Sequence, residues 1–222
     1  MKQIGEGLQY RVFEVNGNSK RVRKIPLSHD EIAQKIRTWI DNKNSHNSAS
    51  PLFTFEEKFL STLQEREDSY NFMKQIVHKA PQIQHIVGNI EFFDDLSMEQ
   101  DRVTILREYM NDFSLNVEFQ KELIDRFIEL IFECWKYGFS DRVFNFTENT
   151  GIDENGNLIQ IDCGEIVHTK EEVIELIEIQ RWLLSWSFTK DLQIEEVKKY
   201  YAQKMQEQLT KENLEKYWKK NV

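Results

Sequence analysis

Short runs in which apolar and polar residues alternate recur along the chain and predict β-strands, because successive side chains of a strand point to opposite faces. Residues that favour turns separate neighbouring runs, as in Asn16-Gly17-Asn18 and in 153–157, which predicts hairpins. The predicted strands are 11–15, 21–26, 87–94, 102–108 and two short ones at Ile152 and 158–161.

Other segments repeat apolar residues at helical spacing, which predicts amphipathic helices. In 121–138 the apolar side chains share one face, and Gly138 follows as a C-cap. The segment 45–51 has the composition of a flexible loop, and Pro81 ends the helical segment before it. The predicted helical segments are 30–40, 53–80 as one or two helices, 121–138, 169–188 and 194–218. Helices combined with antiparallel strands indicate an α+β protein.

The hairpin over 149–164 carries the first candidate site. Asn149 precedes its first strand and Asp162 follows its second, so the hairpin brings both side chains to one end. An amide oxygen beside a carboxylate suits a Mg²⁺ that already carries phosphate oxygens, since this ion takes hard oxygen ligands and few protein groups. Asp and Gly also populate ordinary turns, which leaves a purely structural hairpin as the alternative.

A second group of candidates lies near the N-terminus. Gly5 and Gly7 permit a backbone that lies close over phosphates, and Val12 follows on the next strand; a plain hairpin turn is the alternative. Lys24 shares a strand face with Val22, because side chains alternate, so the lysine points to the side on which the valine packs. A solvated basic strand is the alternative for Lys24.

Together these segments resemble the protein-kinase-like superfamily, in the form of a minimal bacterial or atypical kinase. The N-terminal segment follows the kinase glycine pattern GxGxxGxV except that Tyr10 stands at the third glycine, and Lys24 takes the place of the strand lysine. Asp162-Cys163-Gly164 stands where kinases have DFG, with Cys in place of Phe. The segments 156–161 and 165–166 look like the lipid-kinase branch.

This resemblance implies a two-lobed fold, with an antiparallel β N-lobe over 1–110 and a reduced helical C-lobe over 111–222. It also implies ATP and Mg²⁺ as cofactors. The implied contacts are Gly5 and Gly7 over the phosphates, Val12 over the base, Val22 on the lysine's face of the site, Lys24 on the phosphates, and Asn149 and Asp162 on Mg²⁺.

Two further implied contacts rest on position. A helix acid is expected to pair with Lys24 and hold it on the phosphates; Glu67 is the best placed, with Glu57 and Glu65 as alternatives. The backbone groups of Glu108 and Met110, in a hinge after the strand 102–108, are expected to hydrogen-bond adenine.

Asp141 is the expected catalytic carboxylate, since Asp141-Arg142 resembles the Asp-Arg that opens the lipid-kinase catalytic loop. It precedes Asn149 by eight residues where kinases have five, a place held here by Phe144. A rearranged loop would still bring Asp141 near the acceptor hydroxyl. The alternatives are a pseudokinase that binds nucleotide and a protein partner without turnover, and an unrelated α+β interaction protein whose turns mimic the motifs.

Composition narrows the class of protein. The net charge of -9 argues against general nucleic-acid binding. No apolar run reaches the ~18 residues of a membrane span, and the start does not resemble a signal peptide, so we expect a cytoplasmic protein. Cys134 and Cys163 fit buried thiols of a reducing compartment, and the scattered histidines do not suggest a metal site. The prediction is an ATP- and Mg²⁺-dependent phosphotransferase whose acceptor, a small molecule, a lipid or a protein, stays open.

Overall fold

A computed structural model describes residues 1–45 and 54–220 of the chain. The flexible loop predicted at 45–51 lies outside these residues apart from Ser45. Within the described ranges all strand pairs are antiparallel and are combined with helices, which confirms the α+β class. The strands are β1 (Gln3–Glu6), β2 (Tyr10–Val15), β3 (Asn18–Pro26), β4 (Glu91–Phe92), β5 (Met98–Asp101), β6 (Thr104–Ile105), β7 (Ser140–Asp141), β8 (Thr150–Ile152), β9 (Leu158–Gln160) and β10 (Ile166–Val167).

The largest sheet has five strands in the order β1-β2-β3-β5-β4. The β2–β3 hairpin turns at Gly17, whose φ of 79° lies in the region that glycine enters without strain. Across this sheet Val12 pairs with Lys24, Lys24 with Met98, and Val22 with Gln100, so these side chains share one face. The remaining strands form a three-stranded sheet, β6-β8-β9, and a β7–β10 pair.

The helices cover most of the rest of the described chain. They are α1 (His29–Ser45), α2 (Phe55–Lys79), α3 (Gln84–Val87), α4 (Leu106–Met110), α5 (Val117–Lys136), α6 (Phe146–Asn149), α7 (Lys170–Glu178), α8 (Glu195–Gln208) and α9 (Lys211–Tyr217). The segment predicted as one helix over 169–188 is instead α7, a 3₁₀ turn at Arg181–Leu184 and a π-helical turn at Ser187–Asp191. The predicted segment 53–80 is described from residue 54 onward, and Phe55–Lys79 of it forms one helix, α2.

The helix predicted over 121–138 is confirmed as α5. It begins at Asn116, whose side chain accepts a hydrogen bond from Glu118 N, and it ends where Gly138 adopts a φ of 78°. Its buried face joins a single cluster of apolar side chains that extends from Tyr10 of β2 to Leu214 of α9. A smaller cluster lies under α1. The cysteines, Cys134 and Cys163, are free and buried as predicted.

Two strand predictions are wrong in part. Val87 ends α3 and Gly88 follows with a φ of 65°, so only Glu91–Phe92 of the predicted strand 87–94 is extended. Of the predicted strand 102–108, only Thr104–Ile105 pairs, and it pairs with β8; the chain then turns into α4. No helix of the described ranges is both long and apolar enough to cross a membrane.

Candidate functional site

The β8–β9 hairpin brings Asn149 and Asp162 to the same end, as predicted. Its strands pair from Thr150 opposite Gln160 to Ile152 opposite Leu158. Beyond the paired residues, the backbone N–H groups of Ile161 and Asp162 donate to Asn149 O over 2.8 and 3.3 Å. These bonds hold the amide residue and the carboxylate residue against each other.

Asp141 lies at the same end in spite of its unusual spacing. The β7–β10 pairing places it beside the chain that follows the Asp162 turn. Its Oδ2 accepts a hydrogen bond from Asn149 Nδ2 at 3.0 Å, and its Oδ1 accepts from the backbone of Val143 and Phe144 at 2.8 and 3.2 Å. Phe144, at the usual kinase position, is buried against Trp182 with a φ of 54°. The geometry of the loop therefore places Asp141 beside Asn149, and the side chain at position 144 is part of the apolar core.

Lys24 reaches this end of the hairpin from β3 of the five-stranded sheet. It is 9% exposed, and its Nζ donates to the carbonyl of Ile161, the residue before Asp162. Val22 is buried on the same face, as the alternation predicted. The interpretation of Lys24 as a solvated surface lysine is therefore wrong.

A small cavity lies between the loop after β1 and the turn after β9. Its volume is about 110 Å³, and its lining residues are Gly7, Leu8, Gln9, Tyr10, Val12, Lys24, Asp162 and Glu165. Gly5 does not line it; that glycine lies in β1 opposite Val12. The loop packs directly on the turn, because a Cβ added at Gly164 would overlap Oε1 of Gln9.

The described surface also has three larger grooves, of about 540, 560 and 590 Å³, and the last of them shares Gly7 and Leu8 with the small cavity. None of them is lined by Lys24, Asp141, Asn149 or Asp162. Size alone therefore does not locate the candidate site. The small cavity does, because the buried Lys24 and the half-buried Asp162 and Glu165 line it together, and charged groups are kept out of protein interiors unless they are paired or used. Asp141 and Asn149 do not line it, but Asn149 O accepts from Asp162 N.

Burial dominates the electrostatics of the site. Burial raises the pKa of Asp141 to about 6, and the negative charge of Asp162 raises it further. Hydrogen bonds from Asn149 and the backbone lower this pKa, but they do not outweigh the effect of burial. Burial also raises the pKa of Glu165 to about 7, with Asp162 and Asp141 as additional causes. Lys24 lines the cavity with Asp162 and Glu165, and the charge of Asp141 is near enough to raise the pKa of Glu165, so the region favours a bound cation.

The expected Lys24–Glu67 pair is not formed, and this assignment is wrong for the described structure. Glu67 is exposed on α2, whereas the preceding residue, Arg66, is 3% exposed and donates to Leu27 O at 2.8 Å. Adjacent helical residues point about 100° apart, so a buried Arg66 turns Glu67 to the solvent. Glu57 is exposed as well, and its carboxylate caps α2 by accepting from Thr54 N at 2.7 Å.

The expected hinge contacts of Glu108 and Met110 are also corrected. Both residues belong to α4, where the peptide groups follow the helix instead of extending along a strand. Glu108 is exposed, Met110 is buried, and neither lines the cavity. Gln120 Nε2 donates to Met110 O at 3.4 Å, so this carbonyl is directed into the protein.

Several residues of the site were not identified from the sequence. Gln9 and Tyr10, 6% and 7% exposed, line the cavity, as does the half-buried Glu165. The departure from the third glycine at Tyr10 was a signal that this loop has its own contacts. Behind the site, Thr147 Oγ1 lies 2.7 Å from Ser187 Oγ and 2.5 Å from Asp191 Oδ2. No local pattern indicates this network, since it joins residues about forty positions apart.

A comparison with protein-family models found no matching family, and a comparison with curated proteins found no matching protein.

Proposed function

We propose that the chain is an ATP- and Mg²⁺-dependent phosphotransferase with a two-lobed, protein-kinase-like arrangement. The observation that carries this proposal is the convergence of Lys24, Asp162 and the hydrogen-bonded Asp141–Asn149 pair at one end of the β8–β9 hairpin. The five-stranded sheet supplies the lysine, and the chain from α5 onward supplies the other three residues. A cation, a metal-binding pair and a carboxylate are the groups that phosphoryl transfer requires.

The donor atoms present fit Mg²⁺. Asn149 Nδ2 and Asp162 Oδ1 are engaged in hydrogen bonds, whereas no hydrogen bond is made by Asn149 Oδ1 or Asp162 Oδ2 within the described residues. No group of three or more His, Cys, Asp or Glu side chains in the described part of the chain could hold a metal ion. Two protein oxygens together with phosphate oxygens are the usual ligand set of Mg²⁺. The ion would neutralise phosphate charge beside Asp162.

The remaining residues have distinct roles in this proposal. Lys24 would exchange its bond to Ile161 O for a phosphate oxygen, a stronger acceptor because it is charged. Asp141 would orient the acceptor hydroxyl. Its pKa of about 6 keeps it largely ionised at pH 7, as a hydrogen-bond acceptor must be. The contact with the base remains with Val12, since Glu108 and Met110 lie in α4, and Val22 packs on the lysine's face of the sheet.

A second candidate function is a nucleotide-binding interaction module without turnover. The small size of the cavity favours it, because about 110 Å³ is well below the roughly 300–1,000 Å³ of pockets that enclose a drug-sized ligand. Three hydrogen-bond donors also engage Asp141 already. In this hypothesis the loop over Gly164 would open for nucleotide, and the bound state would present a surface to a protein.

Turnover separates the two functions. We would measure ATP binding by calorimetry and ADP formation with Mg²⁺, using water and then a panel of small-molecule, lipid and protein acceptors. Asp141→Asn is expected to keep ATP binding and lose about 10²–10⁴ of the turnover, the usual contribution of a general base. The matched control is Asp94→Asn, an exposed carboxylate paired with Lys74 at 3.3 Å, which should behave as the parent.

Each outcome has one meaning. ATP binding without ADP formation by the parent would favour the interaction module. Equal turnover in the parent and Asp141→Asn would exclude Asp141 as the catalytic carboxylate. A parent that binds no nucleotide would refute both functions and leave the unrelated interaction protein.

A further inference from the structure

The side chain of Gln9 is buried in the loop between β1 and β2 without a partner. It is 6% exposed, and neither its Oε1 nor its Nε2 makes a hydrogen bond with the described residues. The conformation of the loop does not depend on this amide, because the backbone holds it: Gly7 N donates to Tyr10 O at 2.8 Å and Leu27 N donates to Gln9 O at 2.9 Å.

An amide in this state requires an explanation. Most buried polar atoms in folded proteins are hydrogen-bonded, and an unpaired one destabilises the folded state, whereas an apolar side chain of similar size would not. The neighbouring Tyr10 is likewise buried. Both side chains line the cavity with Lys24 and Asp162. The unpaired polar atoms therefore lie where a ligand would supply their partners.

The size and charge of the cavity define the ligand. A volume of about 110 Å³ is well below the roughly 300–1,000 Å³ of pockets that enclose a drug-sized ligand, so the cavity suits one phosphoryl group and is too small for a whole nucleotide. Lys24 and the amide of Gln9 can donate to phosphate oxygens. Asp162 and Glu165 repel a bare anion and attract a divalent cation, so the matching ligand is a phosphoryl group that carries its metal ion.

We propose that the Gln9 side chain hydrogen-bonds the terminal phosphoryl group of a metal-bound nucleoside triphosphate and thereby distinguishes it from the diphosphate. This inference rests on the proposed nucleotide site and adds a specificity-determining residue to it. Glycines in such a loop act through their backbone, whereas Gln9 acts through a side chain that the packed loop already holds against Gly164. The discrimination between ATP and ADP then depends on one amide.

The test compares the parent with Gln9→Leu, which replaces the amide by a branched apolar side chain that is one methylene shorter. Affinities for ATP, ADP and pyrophosphate, each with Mg²⁺, are measured by calorimetry. Gln9→Leu should weaken ATP and pyrophosphate binding about 10- to 100-fold, as expected for a hydrogen bond to a charged group, and leave ADP binding within threefold of the parent. The matched control is Gln3→Leu, which changes an exposed glutamine of β1 that does not line the cavity.

Folding of the variants is checked independently by thermal unfolding without ligand. Gln9→Leu should be at least as stable as the parent, since it removes polar atoms that have no partner. If it does not fold, Gln9→Met, with a flexible unbranched side chain, takes its place.

The outcomes separate this inference from the proposed function. Equal ATP affinity in the parent and Gln9→Leu would overturn the role of Gln9 and leave the nucleotide site standing. If the parent binds pyrophosphate but no ATP, and Gln9→Leu loses pyrophosphate binding, the result would support the phosphoryl site and refute the nucleotide-dependent function. Absence of binding of all three ligands to the parent would overturn both.

Discussion

At Asp141, burial and hydrogen bonding act on one carboxylate in opposite directions. The residue is 9% exposed, so ionisation is penalised, whereas Asn149 Nδ2 and two backbone N–H groups stabilise the ionised form. The negative charge of Asp162 adds to the penalty. Burial prevails, and the pKa rises from 3.8 to about 6.

A pH-dependent contribution to stability follows from this shift. The unfolded chain titrates near 3.8 and the folded chain near 6, so the folded state binds the proton more tightly between these values. The contribution is fully present below about pH 3.8 and is lost as the pH rises through about 6. A shift of about two units corresponds to roughly 3 kcal/mol.

The measurement is urea unfolding of the parent and Asp141→Asn at several pH values between 4 and 7. The free energy of unfolding of the parent should fall more steeply with rising pH than that of the variant. Glu165 titrates in the same direction and remains in both proteins, so the difference between the curves reports Asp141 together with the effect of its charge on the pKa of Glu165. Parallel curves would contradict the buried, ionisable state of Asp141.

At the scale of elements, the loop that carries Asn149 is anchored by a distant turn. Thr147 of α6 lies against Ser187 and Asp191, the first and last residues of the π-helical turn. Asp191 is 7% exposed, and Thr147 Oγ1 donates to its Oδ2 at 2.5 Å. A buried carboxylate thus fixes the helix whose last residue is Asn149.

Thr147→Val should destabilise the protein by about 1.5–3 kcal/mol. Valine has the shape of threonine but cannot donate, so the variant leaves Asp191 buried without this hydrogen bond to a charged group. Denaturant unfolding gives the difference. The matched control is Thr38→Val on the exposed side of α1, where a change within about 0.5 kcal/mol is expected. Equal effects of the two substitutions would show that Asp191 does not depend on Thr147.

At the scale of the whole molecule, one apolar core supports both walls of the small cavity. The main apolar cluster includes Tyr10 from the five-stranded sheet and Cys163 from the turn after β9. Two contacts cross between these walls: Lys24 Nζ donates a hydrogen bond to Ile161 O, and the side chain of Gln9 packs on Gly164. Under the proposed function a nucleotide would have to replace these two contacts, so the measured free energy of binding would be reduced by the cost of breaking them.

ATP together with Mg²⁺ is expected to stabilise the parent by about 2.7 kcal/mol at a hundredfold excess over Kd, since a ligand of the folded state alone adds RT ln(1 + [L]/Kd). Asp162→Asn should lose most of the part that requires Mg²⁺, because it removes a metal ligand. Thermal unfolding is followed with ATP, with Mg²⁺ and with both. Asp94→Asn serves again as the control and should keep the full shift. An Asp162→Asn protein stabilised as much as the parent would refute the metal assignment.

Features of the fold that depend on neighbouring residues could be predicted from the sequence. Asn16-Gly17-Asn18 forms the turn of a hairpin, and Gly138 ends α5, because both depend on local backbone preferences. The meeting of Asn149 and Asp162 follows from the same hairpin logic. The burial of Lys24 beside Val22 follows from the alternation of a strand.

Other assignments required knowledge of what each segment packs against. The segment 106–110 has the apolar content of a strand, yet it forms α4 and buries Leu106 and Met110. Arg66 and Glu67 are both plausible inward residues by local spacing alone, and contact with the carbonyl of Leu27 places Arg66 inside. Spacing along the chain also suggested position 144 for a catalytic group, whereas a φ of 54° and contact with Trp182 make it a core residue.

The sequence by itself thus determined the turns, the hairpins, helix α5 and the chemical groups available for the proposed phosphate and metal site. These depend on backbone preferences and side-chain periodicity within a few residues. Only the tertiary structure decided that Asp141 meets Asn149, that Glu67 faces solvent, and that Gln9 lacks a partner beside Lys24. The physical reason is that burial and hydrogen bonding of a side chain are set by atoms from distant segments, and these determine the charge and contacts of a site.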